Sequence, residues 1–230
     1  MRQTITSGIV LTRTNYQEAD RILTILTPDQ GKVSVLAKGV RKSKSKMAGG
    51  IELFSVSEIG YIQGKGTLCT LTTSRLVKYY ENIVQDINKT MLGYDLIKLL
   101  HKVTEDHPEP EYFELLIETY EALNNLKIDQ DLIKLWFYAQ LLRIAGHTPS
   151  LRNDSAGKPL STDGKYVFSY DDMAFSTHPE GVYQAKHIKF LRLVFSGNKP
   201  EILQKVTGVE ELIKPTQILI QTILPNHIRT

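Results

Sequence analysis

Five cations, Lys38, Arg41, Lys42, Lys44 and Lys46, fall within nine consecutive positions with no acid among them. Like charges this close repel, so the run is either a solvated segment or a surface that a polyanion neutralises. No other group of residues in the chain offers chemistry as definite. The stretch "DQGKVS" has the Gly-Lys pair of a phosphate-binding loop. It places Leu26 where that motif needs its first glycine and Val33 where it needs a hydroxyl, so it reads as a turn. The six histidines are dispersed, and no two have the i, i+4 spacing that puts a metal-ligating pair on one helix face. Acid pairs such as Glu105/Asp106, Asp171/Asp172 and Glu210/Glu211 are sequence neighbours. Neighbours point in different directions on a helix or strand, so they make no acid/base couple. Cys69, the only cysteine, lies between Leu68 and Leu71 and reads as a small buried hydrophobe; alone, it excludes an intrachain disulfide and a multi-cysteine zinc site. These patterns lead to the expectation of a protein that is not an enzyme and holds no metal or cofactor.

The charge distribution isolates the cationic run further. Residues 1–80 hold twelve Lys and Arg against five acids, whereas the remaining residues hold sixteen against twenty, out of 28 and 25 in all. Such asymmetry suggests a polyanion-binding module joined to a part with another role. The N-terminus lacks the apolar core of a signal peptide, and eighteen apolar residues never run together. A cytoplasmic protein without membrane partners is therefore expected.

Positioning the cations falls to a β-rich region. "TSGIVLTRT", "RILTILT" and "KVSVLAKG" are rich in β-branched residues, and Pro28, Asp29 and Gly31 mark a hairpin turn between the second and third. "ELFSVSEIGYIQ" and "TLCTLTTSRLVKYY" follow, separated by Gly64 and Gly66. Five short strands in about 80 residues predict a small antiparallel barrel. Beyond residue 81 the period becomes helical. Ile83, Ile87, Met91, Tyr94 and Leu99 form an apolar series, Pro110 opens a second helix, and a third runs from an Asp129 cap to Gly146. That third helix is apolar nearly all round, as expected at the centre of a bundle. Residues 147–184 lose all period, which predicts irregular structure with a short hairpin or a mobile insertion. Helical spacing then resumes, and Pro215 is expected to start or kink the last helix. The fold class predicted is α+β and multi-domain, with a barrel at 1–80, an α-helical bundle domain at 81–230 and an irregular insertion at 147–184.

Arg13, Arg21, Lys32, Lys65 and Arg75 lie on or beside the predicted strands, so the cationic run has companions. A barrel with a cationic loop at its mouth is suited to tracking a nucleic-acid backbone, with Tyr16, Phe54, Tyr61, Tyr79 or Tyr80 as stacking platforms or as core. An RNA-binding barrel and a scaffold whose loop meets an acidic protein remain alternatives.

The run "GIVLTRTNYQEADRILTILTPDQGKVSVLAKGVRKSKSK" resembles the opening of the RecO family of bacterial DNA-repair proteins, through Arg13, Tyr16, Glu18, Asp20, Thr27, Gly31-Lys32, Ala37-Lys38-Gly39, Arg41 and Lys44-Ser45. "FELLIETYEAL" and "WFYAQLLRIAGHTPSL" resemble the family's helical segments. The resemblance implies an oligonucleotide/oligosaccharide-binding (OB) barrel followed by a helical domain. It also implies binding of single- and double-stranded DNA and annealing of complementary strands. A RecR-type partner and the C-terminal tail of single-strand-binding protein are the implied protein partners. Lys38, Arg41, Lys42, Lys44 and Lys46 are the expected mobile DNA clamp, with Arg13, Arg21, Lys32, Lys65 and Arg75 as further backbone contacts. Many family members carry a four-cysteine zinc site after the segment matching "AGHTPSL". Here "RNDSAGKPLSTDGKYVFSYDDMAFS" stands there without a cysteine, so no zinc is expected.

Overall fold

The computed structural model describes residues 3–64, 66–104 and 109–227. They form two compact units, Met1–Leu126 and Lys127–Thr230. The division falls later than the change of period at residue 81, because the first three helices cluster with the barrel.

Five strands build that barrel: β1 (Gln3–Tyr16), β2 (Asp20–Thr27), β3 (Gly31–Ala37), β4 (Ser55–Ile62) and β5 (Cys69–Tyr79). The closed order is β1-β2-β3-β5-β4, and only the β3–β5 contact is parallel. This is the five-stranded Greek-key barrel of the OB type. β1 is long enough to serve two neighbours. Its first half pairs with β4 from Gln3↔Ile62 to Gly8↔Ser57, and its second half pairs with β2 from Ile9↔Leu26 to Tyr16↔Asp20. Gly8 sits where β1 changes partner. A Cβ there would lie 2.7 Å from Ile25 Cγ2 and 2.8 Å from Ile59 Cδ1, so only glycine lets the barrel close at this point. The β2–β3 hairpin turns through Pro28–Gln30, with Gly31 at φ 62° and the Thr27 hydroxyl donating to Gly31 O at 3.1 Å.

Alternation along the strands fills the barrel with Val10, Leu23, Ile25, Val35, Ile59 and Leu71. Cys69 is buried in the same interior, and burial pushes its thiol pKa up, as its reading as a small hydrophobe requires. Ile9, Leu11 and Leu26 alternate with interior residues and so face outward, yet they too are buried. Helices α2 (Ile87–Val103) and α3 (Pro110–Asn124) contact β1 and β2. The middle of the outer face of these two strands, at Ile9, Leu11 and Leu26, is thus covered.

Of the apolar series expected here, Ile83 is buried and Leu99 half-buried, but the middle of the series faces outward. Ile87, Met91 and Tyr94 are exposed, whereas Lys89, Gly93, Leu96, Ile97 and Leu100 are buried. Lys89 is drawn inward because its ammonium donates to Leu123 O at 2.8 Å and Asn125 O at 3.1 Å, carbonyls at the C-terminal end of α3. Burial lowers its pKa. A short helix α1 (Glu81–Gln85) precedes the break at Asp86, whose side chain caps α2 by accepting from Asn88 N and Lys89 N.

In Lys127–Thr230 the central element is α4 (Gln130–Ile144). Asp129 caps it, Gly146 follows its end at φ 81°, and Leu132, Ile133, Leu135, Trp136 and Phe137 are buried in succession, as expected of a bundle centre. Around it pack α5 (Ala185–Phe195), α6 (Pro200–Leu203) and α7 (Val209–His227). Pro215 lies inside α7 rather than at its start. The segment expected to be irregular contains a four-stranded sheet of order β6-β8-β7-β9, from β6 (Ser150–Asp154), β7 (Lys165–Ser169), β8 (Ala174–Thr177) and β9 (Tyr183–Gln184). Its expected hairpin is β7–β8. Its centre is aromatic: Phe175 is fully buried, with the rings of Phe168, Tyr183 and Tyr166 edge-on at 5.0, 5.5 and 6.4 Å.

β9 runs directly into α5, and the junction is sensitive to protons. His187 Nδ1 accepts the Gln184 backbone N–H at 2.9 Å. Burial lowers the His187 pKa, and the Lys186 ammonium lowers it further; the other ring against it is Tyr183. The unfolded chain therefore takes up a proton near pH 6.5 that the folded unit resists. This contribution to stability is complete above about pH 6.5 and is lost as pH falls towards the lower folded value. His187→Gln keeps an acceptor without the titration. Thermal unfolding followed from about pH 8 to 5 should depend less on pH in that variant than in the wild type; identical profiles would rule His187 out.

Candidate nucleic-acid interface

The cationic loop leaves β3 after Ala37 and returns through a short 3-10 turn, Ala48–Ile51. Its base is braced rather than free. Gly39 N donates to Asp20 Oδ1 at 2.7 Å, Arg41 N to Ala19 O at 2.9 Å, and Arg41 Nη1 to Glu18 O at 3.2 Å, which ties the loop to the β1–β2 turn. Val40 inserts into the barrel interior. At the far end Ser74 Oγ donates to Met47 O at 2.8 Å. The local contacts thus pin the loop backbone at both ends, and the side chains project from it.

Lys38, Arg41, Lys42, Lys44 and Lys46 are all exposed, and among the described residues none of them forms an ion pair. A concavity of about 680 Å³ separates the β1–β2 turn from the loop, lined by Gln17, Glu18, Ala19, Asp20, Lys38, Gly39 and Lys42. Glu18 and Asp20 stand with Lys38 and Lys42 there, and Arg41 is tied to Glu18, so the least compensated charge lies further along, at Lys44 and Lys46.

The structure sorts the companion cations. Arg21 lies in register with Ala37, at the start of the loop, and its Nε donates to Asn15 Oδ1 at 3.2 Å. Arg75 follows Ser74, at the loop's far end, and makes only an exposed pair with Glu58 at 3.3 Å. Arg21 thus flanks the loop, whereas Arg75, next to Ser74 along β5, points to the opposite face of the strand. Arg13 and Lys32 are committed elsewhere, against their assignment as backbone contacts. Arg13 pairs with Glu52 at 2.5 Å. Lys32 Nζ donates to Thr104 O at 2.5 Å and His101 O at 3.2 Å, so its charge closes the C-terminal end of α2. Lys65 lies outside the described residues. Lys78, not singled out by the sequence, pairs with Glu121 at 2.9 Å. Of the aromatic candidates, Phe54, Tyr61 and Tyr80 are core, while Tyr16 and Tyr79 are exposed. Tyr16 ends β1 beside the turn that braces the loop.

Among the described residues no group of three or more His, Cys, Asp or Glu is placed to hold a metal ion. The cysteine-free segment 152–176 does not fit the four-cysteine zinc site that the resemblance implies for many members; its aromatic centre supplies the packing. Nor is any described helix long and apolar enough to cross a membrane.

A five-stranded OB-type barrel bearing an exposed cationic loop, joined to helices, defines the class of protein. Two family models match it: the N-terminal domain of recombination protein O over residues 1–80 and its C-terminal domain over residues 84–228. The chain belongs to the recombination protein O family. Similar relatives include the DNA repair protein RecO of Desulfatibacillum aliphaticivorans, 39% identical over 149 residues, which are 64% of this chain and 58% of that protein. That of Dehalococcoides mccartyi is 36% identical over 148 residues, with the same shares. The match to that of Listeria innocua is longer, 30% identical over 203 residues, 82% of this chain and 75% of the relative. The first two matches thus span less than two thirds of those relatives' length.

Proposed function

We propose that this protein is a non-enzymatic recombination mediator in DNA repair, which binds single- and double-stranded DNA and lowers the barrier to annealing of complementary strands. The observation that carries the reading is the braced loop whose five exposed cations form no ion pair among the described residues. Annealing brings two polyanions together, and a protein that neutralises backbones reduces their repulsion without reading bases. Tyr16 offers a sequence-tolerant platform for an unstacked base next to that loop. The covered middle of the outer face of β1 and β2 leaves the loop side of the barrel as the more open surface for DNA.

With a RecR-type partner, such a protein helps load recombinase onto DNA coated by single-strand-binding protein. Within Met1–Leu126 the surface that suits that protein's acidic, apolar tail is the stripe Ile87, Met91, Tyr94, Lys98 and Lys102. All five are exposed, at helical spacings of three and four, apolar first and cationic after.

Fluorescence anisotropy over a salt series tests the reading, with a labelled single-stranded oligonucleotide and, separately, a labelled tail peptide. Neutralising about four phosphates gives a log-affinity slope near −3 against log salt. An oligonucleotide that fails to bind even at low salt refutes the DNA reading and favours a scaffold. Tighter binding of a matched RNA favours the RNA-binding alternative. A peptide that does not bind removes the tail from the partners.

A further inference from the structure

A second cationic site lies in the other unit and shares no residue with the loop. A concavity of about 440 Å³ in Lys127–Thr230 is walled by Lys165, Lys186 and Lys189, with Thr162 and Gln184 as polar neighbours and Asp163 as the one acid in its lining. The fold forces the three ammoniums together. Lys165 on β7 lies in register with Gln184 on β9, and α5 begins at the next residue. His187, Ile188 and Phe190 turn into the core, which leaves Lys186 and Lys189, three positions apart, on the exposed side of the helix. Lys165 and Lys189 form no ion pair among the described residues. Lys186 meets Glu211 at 3.4 Å, in a pair too exposed to hold it.

We infer that this concavity takes the phosphodiester backbone of nucleic acid, as a second contact separate from the loop; the inference rests on the DNA-binding reading above. Three like charges around an open hollow raise each other's energy until an anion arrives. The lining holds no arginine to grip one phosphate with two parallel bonds, and flexible lysines act as point charges instead. That chemistry suits a polymer with charges in series better than a free phosphate ion. It holds no aromatic residue either, so the contact is to backbone and not to unstacked bases. Two cationic sites on separate units give one molecule a means of holding two strands at once.

Lysine acetylation footprinting of the full chain tests this without a variant, with oligonucleotide, with inorganic phosphate and with neither. The expected result is that DNA slows acetylation of Lys165, Lys186 and Lys189 by about threefold or more while phosphate has little effect. Equal protection by phosphate alone would make this a free-anion site and overturn the proposal. The variant Lys165→Ala/Lys186→Ala/Lys189→Ala changes only exposed side chains, two of them to a good helix former. It should keep its affinity for a first strand within about threefold but anneal complementary oligonucleotides about tenfold more slowly. If the wild type binds DNA yet the three lysines stay unprotected and the variant anneals normally, this inference fails and the functional reading stands. If the wild type binds no DNA, that reading fails first and this one with it.

Discussion

Replacing Lys38, Arg41, Lys42, Lys44 and Lys46 together by alanine is expected to flatten the salt dependence of DNA binding and to remove most of the affinity at low salt. With about four phosphates neutralised, wild-type affinity changes roughly 50-fold over a fourfold range of salt, and the variant should change only a few-fold. The loss should be the same for unrelated sequences, because backbone contacts carry no base information. The fold should survive: all five side chains are exposed, while the braces Gly39, Val40 and Asp20 stay in place. Arg13→Ala and Lys32→Ala supply the contrast. Their charges are used inside the fold, on Glu52 and on the last carbonyls of α2, so they should lower stability and leave the salt slope unchanged. A five-alanine variant with the wild-type slope would take the loop out of the interface.

The split between loop and strand cations shows what the sequence carries and what it does not. The loop was legible because charge density is local: five cations in nine positions need no knowledge of the fold. The barrel was legible for a similar reason, since β-branched runs and a Pro-Asp-Gly turn are local signals, as are the Asp129 cap and Gly146. The role of Lys32 was not, because its acceptors lie 69 and 72 residues further on. Nor was the facing of α2. Periodicity places apolar residues inside, but here a lysine is buried because it closes another helix, and a glycine because a ring needs its space. Ile87, Met91 and Tyr94 were displaced outward as a result. At 150–184 only a short hairpin was legible and not the four-stranded sheet, because its strands hold two to five residues each and its core is four aromatic rings scattered among turn formers.

That ring, Phe54, is where the second large effect is expected. It stands just before β4 with φ 57°, a left-handed conformation that a bulky side chain adopts only at a cost of about 1–3 kcal/mol. What outweighs the strain is burial. Phe54 is 1% exposed, its ring meets Tyr94 and Tyr120 edge-on at 5.3 and 5.6 Å, and its carbonyl accepts from Tyr80 N at 3.0 Å. Phe54→Ala keeps the strain and loses the ring, and should destabilise the protein by about 3–5 kcal/mol in urea unfolding. Phe54→Gly loses the same ring but relieves the backbone, so it should be less destabilising than the alanine variant by about 1 kcal/mol. Gly93 offers a sharper check. A Cβ at residue 93 would lie 2.5 Å from Phe54 Cε1, so Gly93→Ala should overpack the site and cost about 1–3 kcal/mol. In the Phe54→Ala background the same methyl enters a void, and α2 gains a better helix former in place of glycine. Gly93→Ala should then be neutral or stabilising, a reversal of sign that contact between the two residues produces and independent sites do not. If the two substitutions simply add, Phe54 is not the group that excludes a side chain from position 93.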